Sequence, residues 1–525
     1  MTHPLLSTRH SWRTLAEHLV MLAWVMTWAA ICHAGSTVEI LADFEKTTRR
    51  EELPALFGFN VVWANFQIGY TRHGTPRPEV IEYLQPFRGA VYRYPGGTPS
   101  NHFFWDESIG PQSSRRPQRD EYGREALPLF GFDEFIHFVK EVGGVPLITI
   151  NLVGGNGRAW SDKEVASYAA SWVAYASARE GTGEREWRRP CTTSLACPVL
   201  LWELGNELDR GRHAISAAQY SARAREVGMA MKQNNPNIFL IAQTKSAPWE
   251  LRARNLATPE LEFNRVVARQ LAKIVDGYAF HPYYDGISVP RVQNLMHEII
   301  EDIRPRDESP GPPIPIFITE HAKWPSRPLV GRWEGNWAQT GNLGGAESTA
   351  DFLLMLMQSS HVVAANWHGL GARGPWQLFY HDTMSDLVYP NVVYWAMRVL
   401  REAALPEIVR TEVRSQNLSG YRGGYDVRAV LTRDGAKRRF SVLAVNRAPI
   451  AEMAVITLKG FSTRRLTFDM SVVTGTSPEE RNSNEKPFNI VPKRTLGIKE
   501  LSRDGKLRVT LAPHSITAVI FSQAD

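Results

Sequence analysis

Two glutamates each close a short apolar run in this chain: Glu207 ends Leu201-Trp202-Glu203-Leu204-Gly205-Asn206-Glu207, and Glu320 ends Ile316-Phe317-Ile318-Thr319-Glu320, followed by His321. A third run ends Tyr92-Arg93-Tyr94-Pro95-Gly96-Gly97. Solvation alone asks for no carboxylate at either of the first two places. If the runs are strands opening on one rim, the pair has the chemistry of glycosidic bond cleavage. One carboxylic acid protonates the leaving oxygen, and one carboxylate attacks or supports an oxocarbenium-like carbon. Glu203 does not suit that pair, because four residues of strand put it roughly 13 Å from Glu207, against roughly 5 to 5.5 Å for a retaining pair. It is expected to lie deep and to pair with an arginine. Arg93 is the candidate cation beside the nucleophile. His281 and Tyr283, in Phe280-His281-Pro282-Tyr283, are candidate donors to Glu320 or to substrate. The chain has no His-Glu-x-x-His, Gly-x-Ser-x-Gly or Gly-x-x-x-x-Gly-Lys, so metalloprotease, serine hydrolase and nucleotidase readings have no starting point. Neither a cofactor nor a metal is implied.

A shared rim requires parallel strands joined by helices. Strand-like apolar runs fall at 56–62, 90–94, 146–152, 199–204, 238–242, 274–281, 315–319 and 362–367, and amphipathic stretches at 132–142, 162–179, 217–234, 263–273, 292–303 and 348–360 lie between them. This alternation points to an α/β fold, a (β/α)8 TIM barrel, with its site at the C-terminal ends of the strands. A doubly wound open sheet would usually carry a Gly-rich phosphate turn after its first strand, and none is present. From about residue 409 the helical period gives way to short alternating segments at 427–432, 439–445, 454–458, 466–473, 507–511 and 516–521, the pattern of a C-terminal β-sandwich. The segment 37–41 is expected to add a strand to it. The stretch 474–500, rich in Asn, Ser, Pro and charge, reads as a surface loop. The expected boundaries are a signal peptide at 1–34, an N-terminal strand joining the sandwich at 35–50, the catalytic barrel at 51–405 and the β-sandwich at 406–525.

Together, Gly205-Asn206-Glu207, Arg93-Tyr94-Pro95-Gly96-Gly97 and Thr319-Glu320 resemble the retaining (β/α)8 glycoside hydrolase clan. The Arg-Tyr-Pro-Gly-Gly stretch and the trailing sandwich are most similar to the α-L-arabinofuranosidases, with the β-xylosidase and β-glucuronidase/heparanase groups close behind. The resemblance implies Glu207 as general acid/base, Glu320 as nucleophile and Asn206 as partner of a sugar 2-hydroxyl. It also implies a tyrosine, here Tyr283, donating near the nucleophile, and a tryptophan after the eighth strand, here Trp367, as the apolar floor under the reacting sugar. Trp63 and Asn65 after the first strand and Asn151 after the third are further candidates, and Trp324, Trp333 and Trp337 are expected to line outer subsites. Leu208 stands where the xylosidase and glucuronidase groups usually have proline, and Thr319-Glu320-His321 lacks the Asp-Glu-Trp run of many arabinofuranosidases. The sugar stays open among arabinofuranoside, xyloside, glucuronide and an endo-acting use of the same clan. A non-catalytic carbohydrate-binding or polysaccharide-assembly role is the reading of a different class.

Composition agrees with a globular hydrolase. The 525 residues are 43% hydrophobic and 22% charged, with a net charge of +6 and sixteen tryptophans. That excess is too thin for a nucleic-acid binder, and the segment 106–125 sets four arginines against five acids. The expected partner is a glycan. Arg9 and Arg13 precede an apolar run at 19–31 and a Cys-His-Ala ending at Ala34, the layout of a secretory signal, with an uncleaved anchor as the minority alternative. No later run is long enough to span a membrane, so the mature protein is expected to be secreted or periplasmic. In that compartment Cys191 and Cys197 are expected to close a small loop as a disulfide.

Overall fold

The computed structural model describes residues 36–64, 69–70, 74–120, 123–155, 160–184, 186–245, 259–285, 288–304, 313–328, 330–371, 374–415, 426–436, 438–461, 463 and 465–523. The expected signal segment and Asn65 lie outside the described residues.

A first strand, β1 (Ser36–Arg49), precedes the barrel. The barrel strands are β2 (Gly58–Asn60), β3 (Val91–Tyr94), β4 (Val145–Ile150), β5 (Leu201–Leu204), β6 (Phe239–Gln243), β7 (Gly277–Ala279), β8 (Ile316–Lys323) and β9 (Val362–Trp367). Each pairs in parallel with the next, and β9 returns to β2, which closes the ring. Each strand leads to its own helix: α1 (Pro78–Leu84), α2 (Phe132–Val142), α3 (Asp162–Glu180), α4 (Ala217–Asn234), α5 (Pro259–Leu271), α6 (Val289–Ile303), α7 (Leu343–Met357) and α8 (Val392–Ala403). The helix starts are legible in local chemistry. Ser161 and Glu164 cap α3 reciprocally, and Ser216 and Gln219 cap α4 in the same way. Asn342 and Asn391 accept from backbone N–H groups at the starts of α7 and α8. No helix among the described residues is long and apolar enough to cross a membrane.

After α8 come β10 (Glu407–Arg414), β11 (Val427–Arg433), β12 (Arg439–Asn446), β13 (Glu452–Lys459), β14 (Arg465–Thr474), β15 (Lys493–Glu500), β16 (Lys506–Leu511) and β17 (Ser515–Gln523). With β1 they make one nine-stranded ladder in the order β15-β14-β17-β12-β11-β10-β1-β13-β16. The sandwich is thus a single open ladder folded over its own core, where Phe44 of β1 meets Phe440 of β12 edge to face at 5.4 Å. Its other face, through Val430, Leu443, Val445 and Ile516, joins the hydrophobic core of the barrel. Between sheet and barrel lies α7, all fifteen residues of which are buried.

Several boundaries differ from the sequence reading for physical reasons. The first barrel strand is three residues long because Pro54 opens a 3-10 turn over Leu53–Phe57, where its fixed φ and missing N–H cost nothing. The seventh helix begins at Leu343 rather than 348, since a helix buried on every face shows no polar side to mark its start. The stretch 493–500, expected as loop, is the edge strand β15, paired with β14. Its lysines and arginine hide the alternation and are what an exposed sheet edge carries to avoid pairing with other chains.

The short strand β2 leaves no room at Gly58, where a Cβ would sit 2.5 Å from the Val91 carbonyl oxygen and 2.9 Å from that of Ala365. Gly58→Ala is therefore expected to destabilise the fold by about 1 to 3 kcal/mol. A urea unfolding midpoint equal to that of the parent would contradict this packing.

Candidate active site

The two-residue period of a strand sorts the barrel interior into layers. Val91, Leu147, Leu201 and Phe317 point inward and belong to one buried apolar cluster near the barrel floor. Two residues further along the same strands, on the same inward face, stand Arg93, Thr149, Glu203 and Thr319. A polar layer therefore rests on an apolar plug, shielded from water on all sides but the rim.

Arg93 organises that layer. Its guanidinium donates to Glu203, to Glu320 Oε1 at 2.9 Å, to Asn206 Oδ1 at 2.7 Å and to Asn60 Oδ1 at 3.1 Å. Glu203 also accepts from Thr149 at 2.8 Å and from Thr319 at 2.7 Å, so each of its oxygens is held. Burial alone would raise the Glu203 carboxyl, but Arg93 and His281 outweigh it and hold the value at about 2. The run after Arg93 fits just as closely. The Tyr94–Pro95 bond is cis. Gly96 has φ +64° and no space for a Cβ, which would meet Asn60 Oδ1 at 2.6 Å.

Above this layer the two rim glutamates converge. One side-chain ligand atom each from Glu207, His281 and Glu320 lies within 4.8 Å of the others. Glu320, at the bend where β8 continues past the barrel, accepts from Tyr283 Oη at 2.8 Å and faces His368 Nδ1 at 3.2 Å. Burial pushes its carboxyl up, yet His368, His281 and Arg93 together hold it well below the usual carboxylate range. Burial and the adjacent carboxylates push the Tyr283 phenol well up, which keeps it a donor. Glu207 follows Gly205, at φ +82°, and itself has φ 49°, a backbone state that turns its side chain back over the barrel mouth. It meets His281 Nδ1 at 3.1 Å and Arg210 Nε at 3.6 Å, with the side chain 16% exposed. His281 Nε2 contacts Thr319 Oγ1 at 2.7 Å, and Thr319 in turn donates to Glu203. Burial opposes a charged imidazole, but Glu320, Glu203 and Glu207 raise His281 to about 9. The three convergent side chains have the spacing of a cation site, but an imidazole held protonated is a poor ligand, since a metal ion would first have to displace that proton.

The structure thus brings together Arg93, Asn206, Glu207, His281, Tyr283 and Glu320. Asn206 is buried, and its Nδ2 is an unpaired donor in the site, while its backbone is locked to Asn101 through bonds of 2.8 and 3.3 Å. Three expected residues do not join the cluster. Trp367 is 0% exposed, donates its Nε1 to the Trp376 carbonyl and packs edge-on against His321, so it cannot floor a sugar. Trp63, 1% exposed, is bonded to the Pro99 carbonyl and packed on Phe103. Asn151 spends its side chain shaping the turn after β4, accepting from Val153 and Gly154 N–H groups and donating to the Gly154 carbonyl. The side chains that the sequence reading missed are Asn60, Asn101, Thr149, Thr319, His368 and Trp376. Strand alternation was the signal for His368, since the residue after an outward Trp367 turns inward. Trp376 packs 5.0 Å from both Tyr283 and His368, and Trp324 and Trp333 continue from it, stacked at 5.5 Å. Cys191 and Cys197 form a disulfide in the loop before β5, where the Cys191 N–H donates to the Gly144 carbonyl just before β4.

With this geometry in hand, known proteins offer a comparison. Residues 83–279, from α1 to β7, match the α-L-arabinofuranosidase 1 domain. An intracellular exo-α-(1→5)-L-arabinofuranosidase of Streptomyces lividans is 28% identical over 215 residues, 40% of this chain and 30% of that protein. The α-L-arabinofuranosidase C of Emericella nidulans is 26% identical over 212 residues, 39% of this chain and 40% of that protein. The aligned stretch spans less than half of either relative. Solved structures carry the likeness across both parts of the molecule. A GH51 α-L-arabinofuranosidase from Thermotoga petrophila matches with a TM-score of 0.71 at 19% identity, covering 92% of this chain and 100% of that one. A family 51 α-L-arabinofuranosidase from Bifidobacterium longum gives 0.73 at 17% identity, covering 93% and 99%. The chain is most like the α-L-arabinofuranosidases. The barrel and sheet described above are their fold.

The ionic cluster makes stability depend on pH in two windows. A histidine raised from 6.5 to about 9 contributes stability that is complete below about 6.5 and is lost as pH rises through about 9. Glu203, lowered from 4.5 to about 2, contributes stability present above 4.5 and lost as pH falls through about 2. Melting temperature is expected to fall between about pH 6.5 and about pH 9, and His281→Gln to flatten that slope. An unchanged slope in the variant would show that His281 is not the group responsible.

Proposed function

We propose that this chain is a retaining glycoside hydrolase of the arabinofuranosidase type. The observation that carries the reading is the convergence of Glu207 and Glu320 on one point of the rim, with an oxygen of each within 4.8 Å of the other, an approach in keeping with a retaining pair, whose carboxyl groups stand about 5 to 5.5 Å apart. Glu320, ionised and held by Arg93 and Tyr283, attacks the anomeric carbon as the bond to the leaving oxygen breaks. The Glu207 proton passes to that oxygen. Water then attacks the same carbon, gives its proton to Glu207, and the ester bond to Glu320 breaks, releasing sugar with its original anomeric configuration. The unpaired Asn206 Nδ2 is available to a sugar hydroxyl. The half-buried rings of Trp376, Trp324 and Trp333 offer stacking surface beside the nucleophile for the leaving portion of a glycan. The names of the relatives favour an α-L-arabinofuranoside as the sugar. Action outside the cytoplasm belongs to the same proposal, supported by the apolar run at 19–31 and by the Cys191–Cys197 disulfide.

A panel of aryl glycosides (arabinofuranoside, xyloside, glucuronide, glucoside, galactoside) tests the sugar. Glu320→Ala is expected to abolish turnover, with azide restoring part of it as a glycosyl azide of inverted configuration. Glu207→Ala should lose on the order of 10²- to 10⁴-fold on a natural glycan, with azide giving the retained configuration. Full activity in Glu320→Ala would sink the assignment, and glycan retention without release of reducing sugar would favour a binding protein.

A further inference from the structure

The ladder that carries the nucleophile does not end at the barrel rim. Beyond Glu320, β8 runs on to Ala322 and Lys323, which pair in parallel with Tyr283 and Tyr284. The strand that bears Glu320 is therefore laddered, two residues further on, to the segment that bears the tyrosine donating to it. At its far end stands Asp285, buried, with φ 67°. A non-glycine residue in that backbone state persists where its surroundings over-determine it. Here they do, and the decisive partner comes from the other part of the molecule.

Arg447 lies just past β12 of the nine-stranded sheet, its backbone N–H bonded to the Asp426 carbonyl at 2.7 Å. Its guanidinium, 1% exposed, reaches across the junction to Asp285 Oδ1 at 3.1 Å, Ser348 Oγ at 3.1 Å and Asp351 Oδ2 at 3.2 Å. Lys323 closes on the second Asp285 oxygen at 3.4 Å, and Ser348 donates to the same oxygen. Arg428, on β11, shares Asp351 with Arg447. Burial opposes the charge on Asp285, but Arg447 and Lys323 outweigh it and hold the carboxylate below its usual range. Two segments meet at this cluster: 283–285, which bears Tyr283, and 320–323, which bears Glu320. Tyr284 adds a bond of 3.0 Å to Thr349 on α7.

We propose that Arg447 is a positioning residue for the reaction, a pin by which the sheet domain fixes Tyr283 against Glu320. The proposal rests on the hydrolase reading for its kinetic consequences but not for its structural ones. Removing the pin frees Asp285, lets the Tyr283-Tyr284 segment drift from β8 and weakens the donation from Tyr283 to the nucleophile. An ionised Glu320 that loses a donor protonates at higher pH, so the acid limb of the pH profile moves up.

The test uses the full chain with Arg447→Gln, Arg447→Lys, Ser348→Ala and Tyr283→Phe. Arg433→Gln serves as control, because it breaks a part-buried pair with Glu407 inside the sheet, away from the rim. Arg447→Gln is expected to lower kcat on an aryl arabinofuranoside about tenfold to 100-fold, with KM within about twofold, and to raise the acid limb by about half a pH unit. Ser348→Ala should move both in the same direction by less, which keeps the proposal testable should Arg447→Gln fold poorly. Arg447→Lys should recover part of the loss. Added to Tyr283→Phe, Arg447→Gln should shift the limb little further, since both act through one hydrogen bond. Hydrogen exchange, read without any substrate, should quicken in 280–285 and 320–323 while β11 and β12 keep their protection. The proposal is overturned if Arg447→Gln behaves like Arg433→Gln, less stable but with unchanged profile and unchanged exchange at 280–285, or if its shift adds fully to that of Tyr283→Phe. Failure of the hydrolase reading looks different: a parent enzyme silent on every aryl glycoside, with the exchange experiment still deciding for or against the pin.

Discussion

Everything at the site depends on one guanidinium in the middle of a closed barrel. Arg93 has no exposure and no water to hydrate it, a state that costs several kcal/mol unless its N–H groups are met by charge and by well-placed acceptors. Glu203, Glu320, Asn206 and Asn60 meet them. Those four partners come from three different strand ends, β5 with the turn after it, β8 and β2, so the barrel must be closed before the arginine is satisfied. The converse also holds. Glu320 can stay ionised in a buried place because Arg93 is there, and Glu203 gives Arg93 a second anionic partner, one that would remain if Glu320 became an ester in the proposed reaction.

Charge counting makes that last point sharper. Under the proposed double displacement, Arg93, His281 and Arg210 stay cationic and Glu203 anionic, while the negative charge of the carboxylate pair moves from Glu320 to Glu207 as Glu207 gives up its proton and Glu320 becomes an uncharged ester. The net charge of the centre is the same before and after the first step. A buried site that swings between charge states must reorganise its surroundings at each step, and this one does not need to. His281 sits between these two carboxylates, 3.1 Å from Glu207 and 3.9 Å from Glu320, so an imidazolium there faces whichever of the two is the anion in the proposed scheme. A fixed dipole array that serves both half-reactions is what a low-dielectric interior makes worthwhile.

The legible part of this design was the part written in strand periodicity. Apolar runs ending in Glu, Arg or His located the rim, and spacing along one strand separated Glu203 from Glu207. What failed was the step from a strand end to a direction. Trp367 was read as the floor of the cleft because it ends the eighth run, but it is the last outward residue, and the inward one is His368. Asn60 and Asn101 were invisible for another reason. Their task is to bond to Arg93 and to the backbone of Asn206, and a residue whose only signature is a partner distant in sequence leaves no local pattern. The edge strand β15 was hidden by the charges that keep it from pairing with other chains.

The connection between the two parts of the molecule follows from where the chain begins and resumes the sheet. β1 lies between β10 and β13, antiparallel to the first and parallel to the second, so the barrel is an insertion between one strand of the ladder and the other eight. Strand β1 can find both neighbours only once the barrel and the four strands β10 to β13 exist, contacts of very high sequence separation whose closure is costly in chain entropy. The same arrangement explains α7. A barrel helix normally shows one polar face, but this one has the barrel on one side and the sheet on the other, so Glu347, Ser348, Thr349 and Asp351 are all buried. Polar groups there must find partners across the junction, and His514, Arg428 and Arg447 supply them from the sheet. Two apolar faces alone would allow the sheet to slide over the barrel. Buried charges that pair only in one register do not, and the register they enforce is the one that sets Asp285, and with it the tyrosine beside Glu320.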